Sequence, residues 1–178
     1  MSSYTLHVLI DTKDKQDVFR DIKISSEQTL MDLHQVILDA FAFSGQEISS
    51  FFSCDDNWDG DQEYTQIAME PKDEAFEMGR NKISALFKNK GDKAIYQYDF
   101  LRMWSFLIEL INISPEECPE PTVLLSVGEA PKEEDKEISE LPSFDGEGGL
   151  DSLDSEWGED EDEFGEQSFD SFDDESYY

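Results

Sequence analysis

Residues 93–113 read KAIYQYDFLRMWSFLIELINI, and this stretch decides the fold. Over residues 93–100, Tyr96, Tyr98 and Phe100 fall on one face. Over residues 103–113, Trp104, Phe106, Ile108 and Leu110 do the same. A period of two carried by aromatic and β-branched residues is the mark of a strand. Two neighbouring strands with such side chains make an apolar surface broad enough to receive a helix.

That helix is legible upstream. Leu30, Leu33, Ile37, Ala40 and Phe41 recur at helical spacing. Thr29 with Asp32 three residues on forms a capping box, so the spacing predicts a helix over 29–42 that stops before Gly45. Before it, Tyr4, Leu6, Val8 and Ile10 alternate, residues 12–17 are a polar turn, and Val18, Arg20, Ile22 and Ile24 alternate again. These two segments predict a hairpin. Residues 49–54 predict a third strand and residues 122–127 a last one. Between 62 and 92 the pattern is mixed, with a short strand at Tyr64, Ile67 and Met69 and a helical turn at 83–87. Pro115, Pro119 and Pro121 fill the final connection, where they cost no ladder bond. The expected architecture is α+β: an antiparallel-rich sheet of five or six strands with one main helix packed on it. The ββαβ start also admits a β-grasp-like arrangement.

Charge divides the chain. Its 178 residues hold 13 Lys+Arg against 44 Asp+Glu, a net charge of -31. Such a balance excludes unaided binding to DNA, RNA or anionic membranes, which needs clustered cations. Composition shifts near Gly128. Residues 129–178 carry 21 acids against 2 lysines, a net charge of -19, and residues 1–128 carry 23 acids against 11 bases, a net charge of -12. The expected organisation is a domain over 1–128 and an acidic tail over 129–178. The tail has too little apolar surface to offset its conformational entropy and is expected to be disordered. Phe144, Trp157, Phe164, Phe169, Phe172, Tyr177 and Tyr178 are interleaved with its acids.

The longest apolar run, 103–113, is interrupted by Ser105, Glu109 and Asn112 and is too short to span a bilayer. The first residues lack a basic and an apolar signal region. Cys54 and Cys118 form no CxxC pair and read as two reduced thiols. The expected location is cytoplasmic.

Several blocks occur in a familiar order: Tyr4-x-Leu6-x-Val8, then Val18-Phe19-Arg20-x-Ile22, then Thr29-Leu30-x-x-Leu33-His34-x-x-Ile37-x-x-Ala40-Phe41, then Tyr96-x-Tyr98-Asp99-Phe100 with Trp104. Over residues 4–127 this pattern resembles the plasmid pRiA4b ORF-3-like family. The resemblance implies a small α+β fold, sometimes labelled transposon-passenger or "TnpR-like", and brings no settled activity. Where relatives continue Gly-Asp-x-Trp and then a His, this chain has Leu101, Arg102, Trp104 and Phe106. The relatives' His-bearing segment after the helix becomes Gln46-Glu47-Ile48-Ser49, and their Cys- and Pro-rich segment shrinks to Cys118-Pro119 and residues 128–131. A resolvase would need a nucleophilic serine amid several arginines to offset phosphate charge. Arg20, Arg80 and Arg102 are the chain's whole arginine complement.

No catalytic residue set emerges. His34 sits among Leu30, Leu33 and Ile37 and reads as a core-edge histidine with one hydrogen bond. A zinc set of His7, His34, Cys54 and Cys118 has no ligand spacing. Asp99, flanked by aromatics, reads as one half of an ion pair with Arg102 or Arg20. Asp55-x-Asn57-x-Asp59-Gly60 matches the first half of an EF-hand loop, with Glu63 at its ninth position. The twelfth, closing position is Gln66, so Asp55, Asn57, Asp59 and Glu63 make at most a weak calcium site and no other cofactor is expected.

One basic stretch stands out: Arg80, Lys82, Lys88, Lys90, Lys93 and Arg102, with only Asp92 and Asp99 against it between 80 and 104. The expected function is a non-enzymatic protein-interaction module. Its acidic-aromatic tail docks on a basic protein surface, for example that of a nucleic-acid-binding protein. Trp157 and Phe164 are the tail's anchors, and at low salt the tail also folds back on the basic stretch. The alternative is a small metal-dependent hydrolase using Asp99 and the acids of 55–63.

Overall fold

The computed structural model describes residues 1–14 and 16–138. Trp157, Phe164 and the tail expectation for 139–178 lie outside the described residues. The chain builds one sheet of seven strands: β1 (Ser3–Ile10), β2 (Val18–Ser25), β3 (Ser49–Cys54), β4 (Gly60–Thr65), β5 (Lys93–Tyr98), β6 (Trp104–Ser114) and β7 (Thr122–Val127). Their order is β4-β3-β5-β6-β1-β2-β7, and every pairing is antiparallel. Helix α1 (Leu30–Phe41) lies on one face, and the short α2 (Ile83–Leu86) follows two 3-10 turns.

The α+β class and single main helix agree with the sequence reading, while the strand count of five or six is corrected to seven. The extra strand is β4, which pairs with β3 from Ser50↔Thr65 to Cys54↔Gly60. It also replaces the short strand expected at Tyr64, Ile67 and Met69. Only Tyr64 belongs to it; Ile67 and Met69 lie beyond its end and are exposed, at 74% and 83%. The chain leaves the sheet there for a 3-10 turn opened by Pro71. The β-grasp alternative needs a parallel central pair and does not apply, because β1 is antiparallel to both β2 and β6.

Alternation explains the core. Leu6, Val8, Ile10, Ile22, Ile24, Phe106, Ile108 and Leu110 are buried on one face of the sheet. Leu30, Leu33, Ile37, Leu38 and Phe41 of α1 cover them, with Phe41 set edge-on to Phe106 at 5.0 Å between ring centres. The capping box is present: Thr29 Oγ1 accepts from Asp32 N, and Asp32 accepts from Thr29 N. Ala42 closes the helix in the left-handed region at φ 57°.

Arg20 departs from its apolar neighbours on that inner face. It is buried and lies 5.0 Å over the Phe41 ring. Its guanidinium donates to the carbonyls of Ala40, Phe19, Val127 and Gly128. It therefore ties the carbonyl end of α1 to the end of β7, and its burial lowers its pKa.

Candidate functional site

The densest polar cluster in the core surrounds His34. Its Nδ1 lies 2.6 Å from Tyr96 Oη and 3.1 Å from Ser49 Oγ. Its Nε2 lies 3.1 Å from Gln66 Nε2. The Gln66 amide is oriented by its Oε1, which accepts from Ser49 N at 3.0 Å. Its Nε2 therefore donates to His34 Nε2, and the His34 proton sits on Nδ1, facing Tyr96. Burial lowers the His34 pKa and raises that of Tyr96, so both stay neutral. A histidine acting as base toward Ser49 would present a bare nitrogen, whereas this one presents N–H. Ser49 is fully buried as well. The cluster holds α1, β3, β5 and the residue after β4 together. The core-edge reading of His34 is thus extended: three partners replace the single hydrogen bond expected. His7 lies elsewhere, on the opposite face of β1, 2.6 Å from Asp21. Cys54 on β3 and Cys118 near Lys23 are both free.

Asp99 is buried and closes the turn between β5 and β6 at φ 57°. Its Oδ1 accepts from Leu101 N and Arg102 N, and its Oδ2 lies 3.2 Å from Arg102 Nη1. The ion pair with Arg102 read from the sequence is therefore present. Asp55, Asp56 and Asp59 sit at the other end of the same strand, because Cys54 pairs with Lys93 while Tyr98 pairs with Trp104, and Glu63 lies two strands away opposite Phe52. Five residue steps at strand rise separate the two ends by about 17 Å. The structure does not bring the two acid sets of the hydrolase reading together.

Within the acidic loop, Asp55 Oδ1 accepts from Asn57 N at 2.8 Å and Asp59 N at 3.0 Å. These bonds, with that of Asp59 foremost, hold its carboxyl below the usual carboxylate range. Glu63 lies within β4, and its Oε1 accepts from Ser50 Oγ at 2.7 Å. Gln66, which occupies the closing position of the loop pattern, is committed to His34. Among the described residues no group of three His, Cys, Asp or Glu side chains is arranged to hold a metal ion. Asp55 and Asp59 instead share the wall of an open cavity of about 680 Å³ with Cys54, Asp61, Lys88 and Lys93.

The cations of the basic stretch meet different partners. Arg80 pairs with Glu74 and Glu77, Lys82 with Glu27, and Arg102 with Asp99. Lys93 donates to the Asp56 carbonyl at 2.9 Å and lies 5.2 Å over the Trp58 ring. Lys88 and Lys90 form no ion pair among the described residues. Lys93 and Arg102 stand at opposite ends of β5.

The chain's last described residues add a contact that no sequence pattern announces. Glu133 accepts from the Ser44 N–H and, at 3.1 Å, from its hydroxyl. Trp104 Nε1 donates to the Glu133 carbonyl at 3.1 Å, and Lys136 Nζ lies 5.3 Å over the Trp104 ring. Residues 130–136 thus pack on the domain, so its boundary falls beyond the composition shift at Gly128.

No helix among the described residues is long and apolar enough to cross a membrane. The model of the plasmid pRiA4b ORF-3-like protein family matches residues 2–175. The chain belongs to that family, and the match runs past residues 4–127 into most of the acidic tail. No curated protein matches it. A crystal structure of a protein of unknown function from Methanosarcina mazei Go1 is similar, with 22% identity and a TM-score of 0.62, covering 76% of this chain and 75% of that one. This likeness concerns the fold.

Proposed function

We propose that this member of the plasmid pRiA4b ORF-3-like family is a non-enzymatic, cytoplasmic protein-interaction module whose acidic-aromatic tail docks on a basic surface of another protein. The observation that carries this reading is the net charge of -19 over residues 129–178, with Trp157 and Phe164 set among the acids. A polyanion steers association toward Lys and Arg, and interleaved aromatics supply apolar anchors. The ion pairs of the domain add support. Arg80, Lys82 and Arg102 are already matched by domain carboxylates. Fewer cations of this chain are then open to the tail acids, and a basic second molecule supplies them in excess.

The test is affinity capture with the full chain and with a full-length variant whose acidic run at 159–163 is replaced by the corresponding amides. Capture of basic proteins by the first and not by the second supports the reading. Equal capture by both sinks it. A second variant, with Trp157→Ser and Phe164→Ser, separates the anchoring aromatics from the charge.

A further inference from the structure

We propose that the free edge of β7 takes up an extended segment of another protein as an added strand, one with an apolar centre and Lys or Arg at both ends. The proposal rests on the reading of a basic partner given above and assigns that partner a place on the folded domain.

Among the described residues β7 ends the sheet and pairs only with β2. Alone among the seven strands it has no buried residue. Val123, Leu124 and Leu125 are exposed at 41%, 55% and 47%. The cause is local. Ile22 pairs with Val123 and Asp21 with Leu125, so Leu124 is the extra residue of a bulge. A bulge re-aims its side chains, and here two consecutive leucines come to the surface. The strand itself, residues 122–127, contains no charge.

An uncharged edge with open main-chain groups is a template for strand addition. The other edge of the sheet is guarded: β4 carries Asp61 and Glu63 within its span. β7 is bounded by Pro119 and Pro121 on one side and by the left-handed Gly128 on the other. The edge on offer is therefore about one short strand long.

Charge selects the occupant. Glu116, Glu117 and Glu120 precede β7, and Glu129 follows it, after which the chain leaves the edge and Glu133 meets Ser44 and Trp104. Of the preceding three, Glu116 alone meets a lysine, Lys23 at 3.1 Å. A second copy of this chain in antiparallel register would set Glu120 against Glu129, acid on acid. A segment with cations at both ends meets both acids favourably. Main-chain bonds would then hold it, while Leu124 and Leu125 select apolar side chains from it.

The probe is a short synthetic peptide of alternating valine and threonine with paired lysines at both ends. Its binding to the full-length protein is followed by titration and by amide hydrogen exchange. The expected result is slowed exchange within 122–127 and affinity at least about tenfold weaker for a Leu125→Lys variant, a ΔΔG of about 1.4 kcal/mol or more. A Val123→Thr, Leu125→Thr variant keeps strand-forming residues and is also expected to bind more weakly, so a misfolded lysine variant does not decide the matter. The same peptide with glutamates in place of lysines is expected not to bind. Protection on β4 instead of β7, equal binding by all variants, or no binding overturns the proposal. So does a full-length protein already dimeric through β7, its dimer lost on Leu125→Lys. The amide variant of 159–163 separates the two ideas. Peptide binding at β7 that survives with the tail acids removed leaves this inference standing even if the docking role of the tail fails.

Discussion

His34 Nδ1 and Tyr96 Oη, from the helix and from a central strand, meet at 2.6 Å inside the core. Their contact sets a pH dependence. In the folded state burial holds the His34 pKa below its ordinary value of 6.5, and the imidazole stays neutral. The unfolded chain takes up a proton near that ordinary value, so acid favours unfolding.

Stability is therefore expected to be level in this respect above about pH 6.5 and to fall as pH drops below it, until the lowered folded pKa is reached. One proton limits the slope to about 1.4 kcal/mol per pH unit. Urea melts between about pH 8 and pH 5.5 check this. The His34→Gln variant, less stable at neutral pH, should show a flatter profile over the same range. An unchanged profile in that variant would place the acid sensitivity in other groups.

Asp99→Ala removes the acceptor of two backbone N–H groups and the partner of Arg102, and places alanine at φ 57°. The expected cost is about 2–4 kcal/mol. Asp99→Asn keeps the turn bonds and should cost less than the alanine variant. A smaller loss in alanine than in asparagine, read from thermal melts, would contradict this account of the turn.

Thr29→Ala deletes the hydroxyl that caps α1, for an expected loss of about 0.5–2 kcal/mol. Because Thr29 and Asp32 bond reciprocally, Asp32→Ala should add little once Thr29 is gone. A double-mutant cycle in denaturant reads the coupling directly.

Gly128→Ala places a Cβ 2.8 Å from Val18 Cγ2 and 2.9 Å from the Asp17 carbonyl, at φ 77°. An expected cost of about 1–3 kcal/mol follows from backbone and overpacking terms together. The same change disturbs the carbonyl that Arg20 grips. Thermal unfolding measures the total, and loss of exchange protection near 127–128 localises it.

Where side chains alternate between core and solvent, the sequence was a sufficient guide. The third strand at 49–54 and the last at 122–127 fall within the bounds read from the pattern, and the cap of α1 was visible in Thr29 and Asp32. β4 was legible only at Tyr64, for a physical reason. Gly60, Asp61, Gln62 and Glu63 bury nothing, and an edge strand of this kind owes its form to main-chain bonds with β3. The partners of His34 were hidden differently, since Ser49, Gln66 and Tyr96 approach it only across strands distant in sequence. Within the basic stretch, proximity along the chain is not always proximity on the sheet. Arg102 and Lys93 are nine positions apart by number, yet β5 sets them at its two ends.

The order of the strands also bears on how the chain is made. β1 is the first strand of the sheet, yet one of its edges waits for β6, the sixth. During synthesis the opening hairpin must pass the time needed to translate about ninety further residues, on the order of ten seconds, with one main-chain edge of β1 unpaired. Only when residues 104–114 arrive does the centre of the sheet close. Folding of this domain is thus governed by its latest central strand, and a ribosome paused before that point holds a nascent chain with an open, unpaired β1 edge.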